Sequence, residues 1–428
     1  TKKKRLKRLY LLRILMRRFE PRQKFSKKFR NERNAFLTLF RLIYKSMKIA
    51  YFSRTKLPDL SANSNQSMQV CSAIAGLDYS VTFFVVTESK CKIEINLKEI
   101  FDFYDIDENF KIKFINVPAT RRSRLRYLWS SVVTFFKVAK VFRQGNFDLV
   151  FGRDLISCCV ATVFGVKTIY ESHAPVWAGL LERLIFKLFL RAEKFDRLVV
   201  ISHALSDAYK ERYKGLRNKI IVAPDGAEIP RGDIPEISLG GRSSKLNVGY
   251  VGHLYEGKGI EVIEKIAGDM PDVAFHIIGG DPNSASYWKK RIKFDNVFFY
   301  GFVSRSNLPS YYESLDVCLL PNQDRVFGSG SGRIKKPVNI GSFTSPLKLF
   351  EYMAYGKAIV ASDLPVLREV LHEGIALLVG PKDFDGWKEA IRSLASEARR
   401  ESLGMAAKQE LETKYTWVRR MERILEYR

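Results

Sequence analysis

Cysteine and histidine are both scarce, with five of each among 428 residues. Cys71, Cys91, Cys158, Cys159 and Cys318 form neither a CxxC pair nor a Cys/His metal spacing, so a reducing compartment and no structural metal are expected. Nowhere do about 20 uncharged apolar residues follow one another, which excludes a spanning helix on length. The longest candidates, residues 155–166 and the Lys-interrupted 129–142, suit core or interfacial helices. The N-terminus has no uninterrupted apolar stretch followed by a small-residue cleavage site, which argues against a secretory signal. Acidic residues are few as well: 46 Asp and Glu face 72 Lys and Arg, a formal charge of +26. Residues 1–48 hold 18 of those cations and only Glu20 and Glu32 as acids, so more than half of the excess sits in a short leader.

What is abundant is apolar and aromatic material, 46% and 13% of the chain, enough for large cores. At roughly 150 residues per domain the length argues for two domains with additions. In the leader, cationic clusters alternate with apolar ones: Leu9, Leu11, Leu12, Ile14, Leu15 and Phe19 among Arg8, Arg13, Arg17 and Arg18. Helical spacing would make this a basic amphipathic extension over 1–47 that suits an anionic leaflet. The same cations would also attract nucleic-acid phosphate, and a leader without a structured role is the third reading.

From Met47 the pattern changes to short apolar runs separated by helical stretches. Strands are predicted over 48–53, 81–86, 112–117, 148–152, 167–171, 197–201 and 219–223, and helices over 66–77 and 125–142. Near-continuous Val/Ile/Phe runs alternating with helices are what a parallel sheet covered on both faces requires. The first domain, 48–230, is therefore read as doubly wound α/β. A Gly-, Pro- and Ser-rich linker follows at 231–245. The pattern then restarts, with strands over 247–251, 273–278, 297–300, 316–320, 359–361 and 376–379 and a helix over 346–353. This gives a second Rossmann-like domain over 246–412 and a terminal helix over 413–428.

Two segments of the second half carry chemistry. In Thr344-Ser-Pro-Leu-Lys-Leu-Phe-Glu-Tyr-Met-Ala-Tyr-Gly356, Ser345 is expected as an N-cap and Pro346 as the first helical residue. Unpaired backbone N–H groups at such an end attract phosphate. Lys348 in the first turn opposes the helix dipole but would counter a diphosphate. Glu351 lies among Leu349, Phe350 and Met353; a carboxylate there calls for a partner, either the vicinal hydroxyls of a ribose or a group of the protein itself. In Gly249-Tyr-Val-Gly-His-Leu-Tyr-Glu-Gly-Lys-Gly259, a strand ending at Gly252 places Lys258 at the carboxyl edge of the sheet, where open α/β sheets bind ligands. Lys258 could offset pyrophosphate charge as a bond to it breaks.

Together these segments resemble the nucleotide-sugar half of GT-B glycosyltransferases, specifically glycosyltransferase family 4. The likeness continues through Gly356-Lys-Ala-Ile-Val-Ala-Ser-Asp363 and Pro365 to Val370. It extends more loosely over Tyr170-Glu-Ser-His173, Val199-Val-Ile-Ser202, Pro224-Asp-Gly226 and Tyr415-Thr-Trp-Val-Arg-Arg420. The resemblance implies a metal-independent, retaining transfer of a sugar from a nucleoside diphosphate donor, without a cofactor. It also implies a last helix that crosses back to the first domain. Glu351 would hold the donor ribose. Gly252, His253, Lys258, Thr344, Ser345, Pro346, Leu347 and Lys348 would surround the diphosphate and sugar, and His173 would lie beside the donor sugar with Lys258 as its catalytic partner. Two departures stand out. Phe343 replaces a Glu that often contacts donor hydroxyls eight residues before the ribose ligand, and His253 replaces a frequent Arg.

Three further features point to the cleft or its surroundings. Asn63 follows the first strand. The Gly-rich loop 321–340, with Arg325 and Arg333, is long enough to be a mobile cover over donor or acceptor. The basic stretch Arg121, Arg122, Arg124 and Arg126, followed by Trp129, Phe135 and Phe136, pairs cations with aromatics as membrane interfaces do. The expected protein is thus a two-domain α/β glycosyltransferase, peripheral on the cytoplasmic face of a membrane, acting on a lipid-linked or surface-glycan acceptor. A sugar-nucleotide epimerase or hydrolase of the same fold is the rival enzyme. From another class, a nucleic-acid-binding protein or a nonenzymatic sugar-nucleotide-binding protein would account for the leader or for Phe343.

Overall fold

A computed structural model describes residues 47–88, 96–119, 124–176, 179–241, 246–326, 339 and 341–426. The leader, Arg121, Arg122, Arg333 and most of the Gly-rich loop lie outside these. The first lobe comprises β1 (Lys48–Arg54), α1 (Ala62–Gly76), β2 (Ser80–Thr87), α2 (Leu97–Tyr104), β3 (Lys111–Asn116), α3 (Arg124–Gln144), β4 (Leu149–Gly152), α4 (Leu155–Val163), β5 (Lys167–Ser172), α5 (Leu180–Arg191), β6 (Phe195–Val200), α6 (His203–Arg212) and β7 (Ile220–Val222). All its strand pairs are parallel, in the order β3-β2-β1-β4-β5-β6-β7. The order reverses beside β1, where doubly wound sheets open a crevice at their carboxyl ends.

The apolar runs form strands because both faces are covered. Ile49, Ala50, Tyr51 and Phe52 are fully buried, each worth roughly 1.5–3 kcal/mol for the larger side chains. One face of the sheet packs against α3, α4, α5 and α6 in a core that includes Phe52, Phe142, Phe186 and Tyr209. Right-handed crossovers put α1 and α2 over the other face.

The second lobe restarts with β8 (Leu246–Val251), α7 (Ile260–Ile266), β9 (Val273–Ile278), α8 (Pro282–Arg291), β10 (Val297–Gly301), α9 (Leu308–Glu313) and β11 (Val317–Leu320). It ends with α10 (Leu347–Ala354), β12 (Ala358–Ser362), β13 (Leu377–Val379), α11 (Phe384–Ser393) and α12 (Glu397–Glu410). Its six strands are again parallel, in the order β10-β9-β8-β11-β12-β13, with a separate core on each face. The final helix, α13 (Trp417–Glu426), packs on α1 of the first lobe. Its Arg420 donates to the Pro224 and Ala223 carbonyls at 2.8 and 3.1 Å and pairs with buried Glu171 at 2.8 Å. Among the described residues no helix is long and apolar enough to cross a membrane.

Candidate active site

The two sheets bring their carboxyl ends toward one seam. On the second lobe, β8 runs into Gly252, whose φ of +139° only glycine adopts without strain. Lys258 follows on a loop clamped against backbone: a Cβ on Gly257 would come 1.9 Å from the Arg325 carbonyl oxygen, and one on Gly259 1.7 Å from that of Pro321. Tyr250 fixes the turn by donating its hydroxyl to the His253 carbonyl at 2.5 Å.

Helix α10 faces this turn. Its N-cap is Pro346, and the helix begins at Leu347. The expected Ser345 cap is therefore not formed, because the Ser345 hydroxyl accepts the Asp225 N–H of the first lobe at 2.9 Å. With proline as cap no side chain closes the first turn; the Leu349 N–H donates to the Pro346 carbonyl at 3.0 Å, and the Leu347 and Lys348 N–H groups ahead of it are the ones that could meet an anion. Tyr352, one turn further, accepts the Val251 N–H at 3.0 Å and donates to the Leu319 carbonyl at 3.2 Å, locking α10 to β8 and β11.

Lys348 is the distinctive side chain. It is 9% exposed, its Nζ has no hydrogen-bond partner among the described residues, and it lies 3.7 Å from the centroid of the Tyr250 ring. Burial, and then the nearby Lys258 charge, push its pKa well below the usual lysine value. Burial lowers Lys258 as well. His253 is lowered by burial and by both lysines, and its ring stacks on Tyr255 at 4.8 Å. Burial lowers all three groups, and the Lys258 charge adds to the depression of both Lys348 and His253, so cationic groups converge here without a carboxylate that neutralises them all.

Glu351 is satisfied by the protein: Arg305 donates to Oε1 at 3.2 Å and the Tyr312 hydroxyl to Oε2 at 2.8 Å. Burial and the Glu351 charge keep Tyr312 protonated, its pKa well above the ordinary value. The carboxylate retains spare lone pairs, since two oxygens accept about four hydrogen bonds.

On the first lobe, His173 follows β5. Its Nε2 lies 2.6 Å from Glu171 Oε1 and 2.9 Å from Gln66 Nε2; the shorter contact is to an ionised carboxylate, which can only accept, and it favours the proton on Nε2 with Nδ1 as an acceptor. Burial, and then Arg153, lower the His173 pKa against the pull of Glu171. Burial opposes ionisation of Glu171, but Arg420 and His173 hold it well below the carboxylate range. Gln66 binds this group together, donating to Glu171 at 2.8 Å and to Asp225 at 2.7 Å while accepting from Arg153. Asp225, raised by burial, passes the connection to Ser345. A continuous hydrogen-bonded path thus links His173 to the tip of α10. Among the described residues, Glu171, His173 and Asp225 are the one trio of metal-type ligands within 4.8 Å of one another. Arg420 and Gln66 donate to Glu171 Oε1, and Gln66 to Asp225 Oδ1, while Glu171 Oε2 has no hydrogen-bond partner among the described residues.

Thr344 and Pro346 line a small interlobe crevice with Ile201 and Glu369, and Leu347 opens α10. Phe343 packs its ring on the first-lobe core, and its carbonyl accepts from the Ser202 hydroxyl at 3.2 Å. Asn63 is in the first turn of α1, not in a loop after β1, and donates to the Arg54 carbonyl at 3.0 Å. Arg325 is exposed beside Gly257. Gln66, Arg153, Arg305 and Tyr312 carry no local motif that would have singled them out, whereas Arg420 ends the Tyr415–Arg420 stretch. Glu369 had a clue in the Pro365–Val370 stretch; it accepts the N–H groups of His203 and Ala204 at 2.5 and 2.9 Å across the seam.

Two facing doubly wound lobes, joined by a returning C-terminal helix and with an uncapped helix tip at their seam, define the GT-B class. Comparison agrees in both halves: residues 67–231 match Glycosyltransferase Family 4 and residues 245–397 match Glycosyl transferases group 1. The chain belongs to the GT-B glycosyltransferases of the family 4 type. It is 23% identical over 268 residues, 53% of this chain, to the "Putative teichuronic acid biosynthesis glycosyltransferase TuaH" of Bacillus subtilis. The matches span 44% and 64% of the lengths of the two curated relatives. The sucrose-phosphate synthase of Thermosynechococcus elongatus superposes with a TM-score of 0.63 at 19% identity, over 89% of this chain and 98% of its own. HepE of Anabaena, in complex with UDP and glucose, superposes at 0.60 and 15%, over 89% and 98%.

Proposed function

We propose that this protein transfers a sugar from a nucleoside diphosphate sugar to a glycan acceptor carried on a lipid or at the cell surface, with retention of configuration. The observation that carries the reading is the convergence of buried, unpartnered Lys348 with Lys258 at the uncapped tip of α10. In the reaction the bond from C1 of the sugar to the diphosphate oxygen breaks, and the acceptor oxygen bonds to C1 on the same face. The acceptor proton passes to the departing phosphate oxygen. Lys348, Lys258 and the first N–H groups of α10 hold the growing negative charge. Glu351 accepts from the ribose hydroxyls with its free lone pairs, braced by Arg305 and Tyr312. His173 presents Nδ1 to a donor-sugar hydroxyl and orients it. Phe343 has no hydrogen-bonding side chain, so sugar contacts on that side fall to Thr344 and backbone.

Metal independence and a position at the cytoplasmic membrane face belong to the same reading. Its support is the family match and the likeness to solved structures, one of which is a complex with UDP and glucose. The test is a thermal-shift panel of nucleoside diphosphates and their sugars, followed by transfer with the best donor in the presence of EDTA and NMR of the product anomer. No stabilisation by any nucleoside diphosphate would refute the proposal. Loss of donor without a glycosylated product would instead favour the epimerase or hydrolase.

A further inference from the structure

Helices α3 and α5 lie in the same layer of the first lobe, with α4 between them, and carry large apolar side chains that the fold leaves uncovered. On α3, Leu128, Trp129, Val132, Phe135 and Phe136 are 48, 61, 38, 40 and 67% exposed. Their spacing of one, four, seven and eight residues is one helical stripe. On α5, Leu184 and Leu188, one turn apart, are 57 and 59% exposed. The Tyr127 hydroxyl donates to Glu182 at 3.0 Å and ties the first turns of the two helices together. Scattered exposed apolar residues are ordinary; a cluster of this kind marks a contact surface.

The charges around the patch select the occupant. Helix α3 has no acidic residue and carries Lys137, Lys140 and Arg143 on its exposed side beyond Phe136. On α5, Lys187 and Arg191 are exposed next to Leu188, and the sole acid, Glu182, is engaged by Tyr127. On the opposite layer, α2 and the turn after it hold Glu99, Asp102, Asp105, Asp107 and Glu108. Helices α3 and α5 thus join aromatics with cations, while α2 and the turn after it are acidic. Trp and Phe at headgroup depth, rimmed by Lys and Arg, fit the chemistry of an anionic bilayer surface. The cationic leader is like-charged with this rim, and so is a second copy of the same face.

We propose that the α3–α5 face docks the protein on an anionic lipid bilayer. Helices in a parallel sheet run against the strands, so the first turns of α3 and α5 lie at the carboxyl edge, and α5 begins seven residues after His173. The docked patch therefore opens onto the acceptor side of the cleft, and a lipid-linked acceptor reaches the site without leaving the membrane. This assignment of the acceptor rests on the proposed transfer; the docking itself does not.

The test uses the full chain with phosphatidylcholine vesicles and with vesicles containing about one-third phosphatidylglycerol. Expected are at least about tenfold stronger binding to the anionic vesicles and a loss of about tenfold or more in Trp129→Ser/Phe136→Ser, with unchanged melting temperature and unchanged nucleotide-induced shift. Brominated lipids should quench the fluorescence of the parent protein, and Trp129→Phe should remove most of the quenched signal. Vesicle binding that neither variant alters would overturn the proposal, assigning attachment to another segment. So would a dimer in sedimentation velocity that the double variant dissociates. Because binding is read without turnover, failure of docking and failure of the transferase reading are separately visible.

Discussion

Replacement of Lys348 by methionine should move stability and affinity in opposite directions. Methionine keeps the length of the stem in its buried slot and removes an amino group with no hydrogen-bond partner beside Lys258. An unsatisfied buried polar group costs about 1–3 kcal/mol, against about 0.5–2 kcal/mol for the contact with Tyr250 that disappears. The net expectation is about 1 kcal/mol of stabilisation in the absence of nucleotide, or a rise of about 2–4 °C in melting temperature for lobes of this size. Nucleotide binding should suffer, because a charge-assisted hydrogen bond to phosphate contributes about 1.5–3 kcal/mol, a Kd weakened roughly 10- to 150-fold. At a nucleoside diphosphate concentration about 100 times the parent Kd, ligand stabilises the parent by about 2.7 kcal/mol and a 100-fold weaker variant by about 0.4 kcal/mol. Differential scanning fluorimetry with and without nucleotide reads both effects from one variant. A lower melting temperature together with an undiminished nucleotide shift would show that Lys348 is a packing residue, and the anion-site argument would fall.

Other substitutions test the remaining parts of the site. Glu351→Gln keeps the packing and should weaken nucleoside diphosphate binding about tenfold by calorimetry while leaving inorganic pyrophosphate unaffected; equal losses for both would remove the ribose role. Arg420→Met leaves Glu171 charged and buried and should cost about 3–5 kcal/mol in denaturant unfolding, of which Arg420→Met/Glu171→Gln should recover a large part. His276 is fully buried between Tyr300 at 3.0 Å and Asn247 at 3.1 Å, and burial lowers its pKa to about 4 from 6.5. The unfolded chain takes up this proton first, so its stabilising contribution is complete above about pH 6.5 and shrinks as pH falls toward 4, by up to about 3 kcal/mol. Lowered His173 and His253 contribute slope of the same sign, so a pH series of urea unfolding should show a shallower slope in His276→Gln than in the parent, and equal slopes would refute the assignment.

The alternation of strand and helix was readable from the chain because it depends on neighbours. Continuous apolar runs gave strands over 48–53, 81–86 and 273–278, and the structure places β1, β2 and β9 at 48–54, 80–87 and 273–278. The positions of Lys258, Lys348 and Glu351 were legible for the same reason, since strand-to-loop and loop-to-helix junctions have local signals. Even there local preference was overruled once: Ser345 is an apt cap by propensity, yet its hydroxyl serves the Asp225 amide 120 residues away. Asn63 was likewise absorbed into the first turn of α1, which starts four residues earlier than the apolar pattern indicated.

Linear order, periodicity and capping preferences were enough for the architecture, because hydrogen bonding and side-chain burial within a strand or helix are set over a few residues. They could also show that Glu351 needed a partner, since an ionised carboxyl among apolar neighbours demands one wherever it lies. Which partner it found was settled by folding: Arg305 and Tyr312 come from elements 46 and 39 positions earlier, and Arg420 reaches Glu171 across 249 positions. Such pairs have no sequence period, since they depend on where two independently formed lobes and the returning helix meet. The same holds for Trp129 and Leu184, whose joint exposure exists only because α3 and α5 occupy one layer.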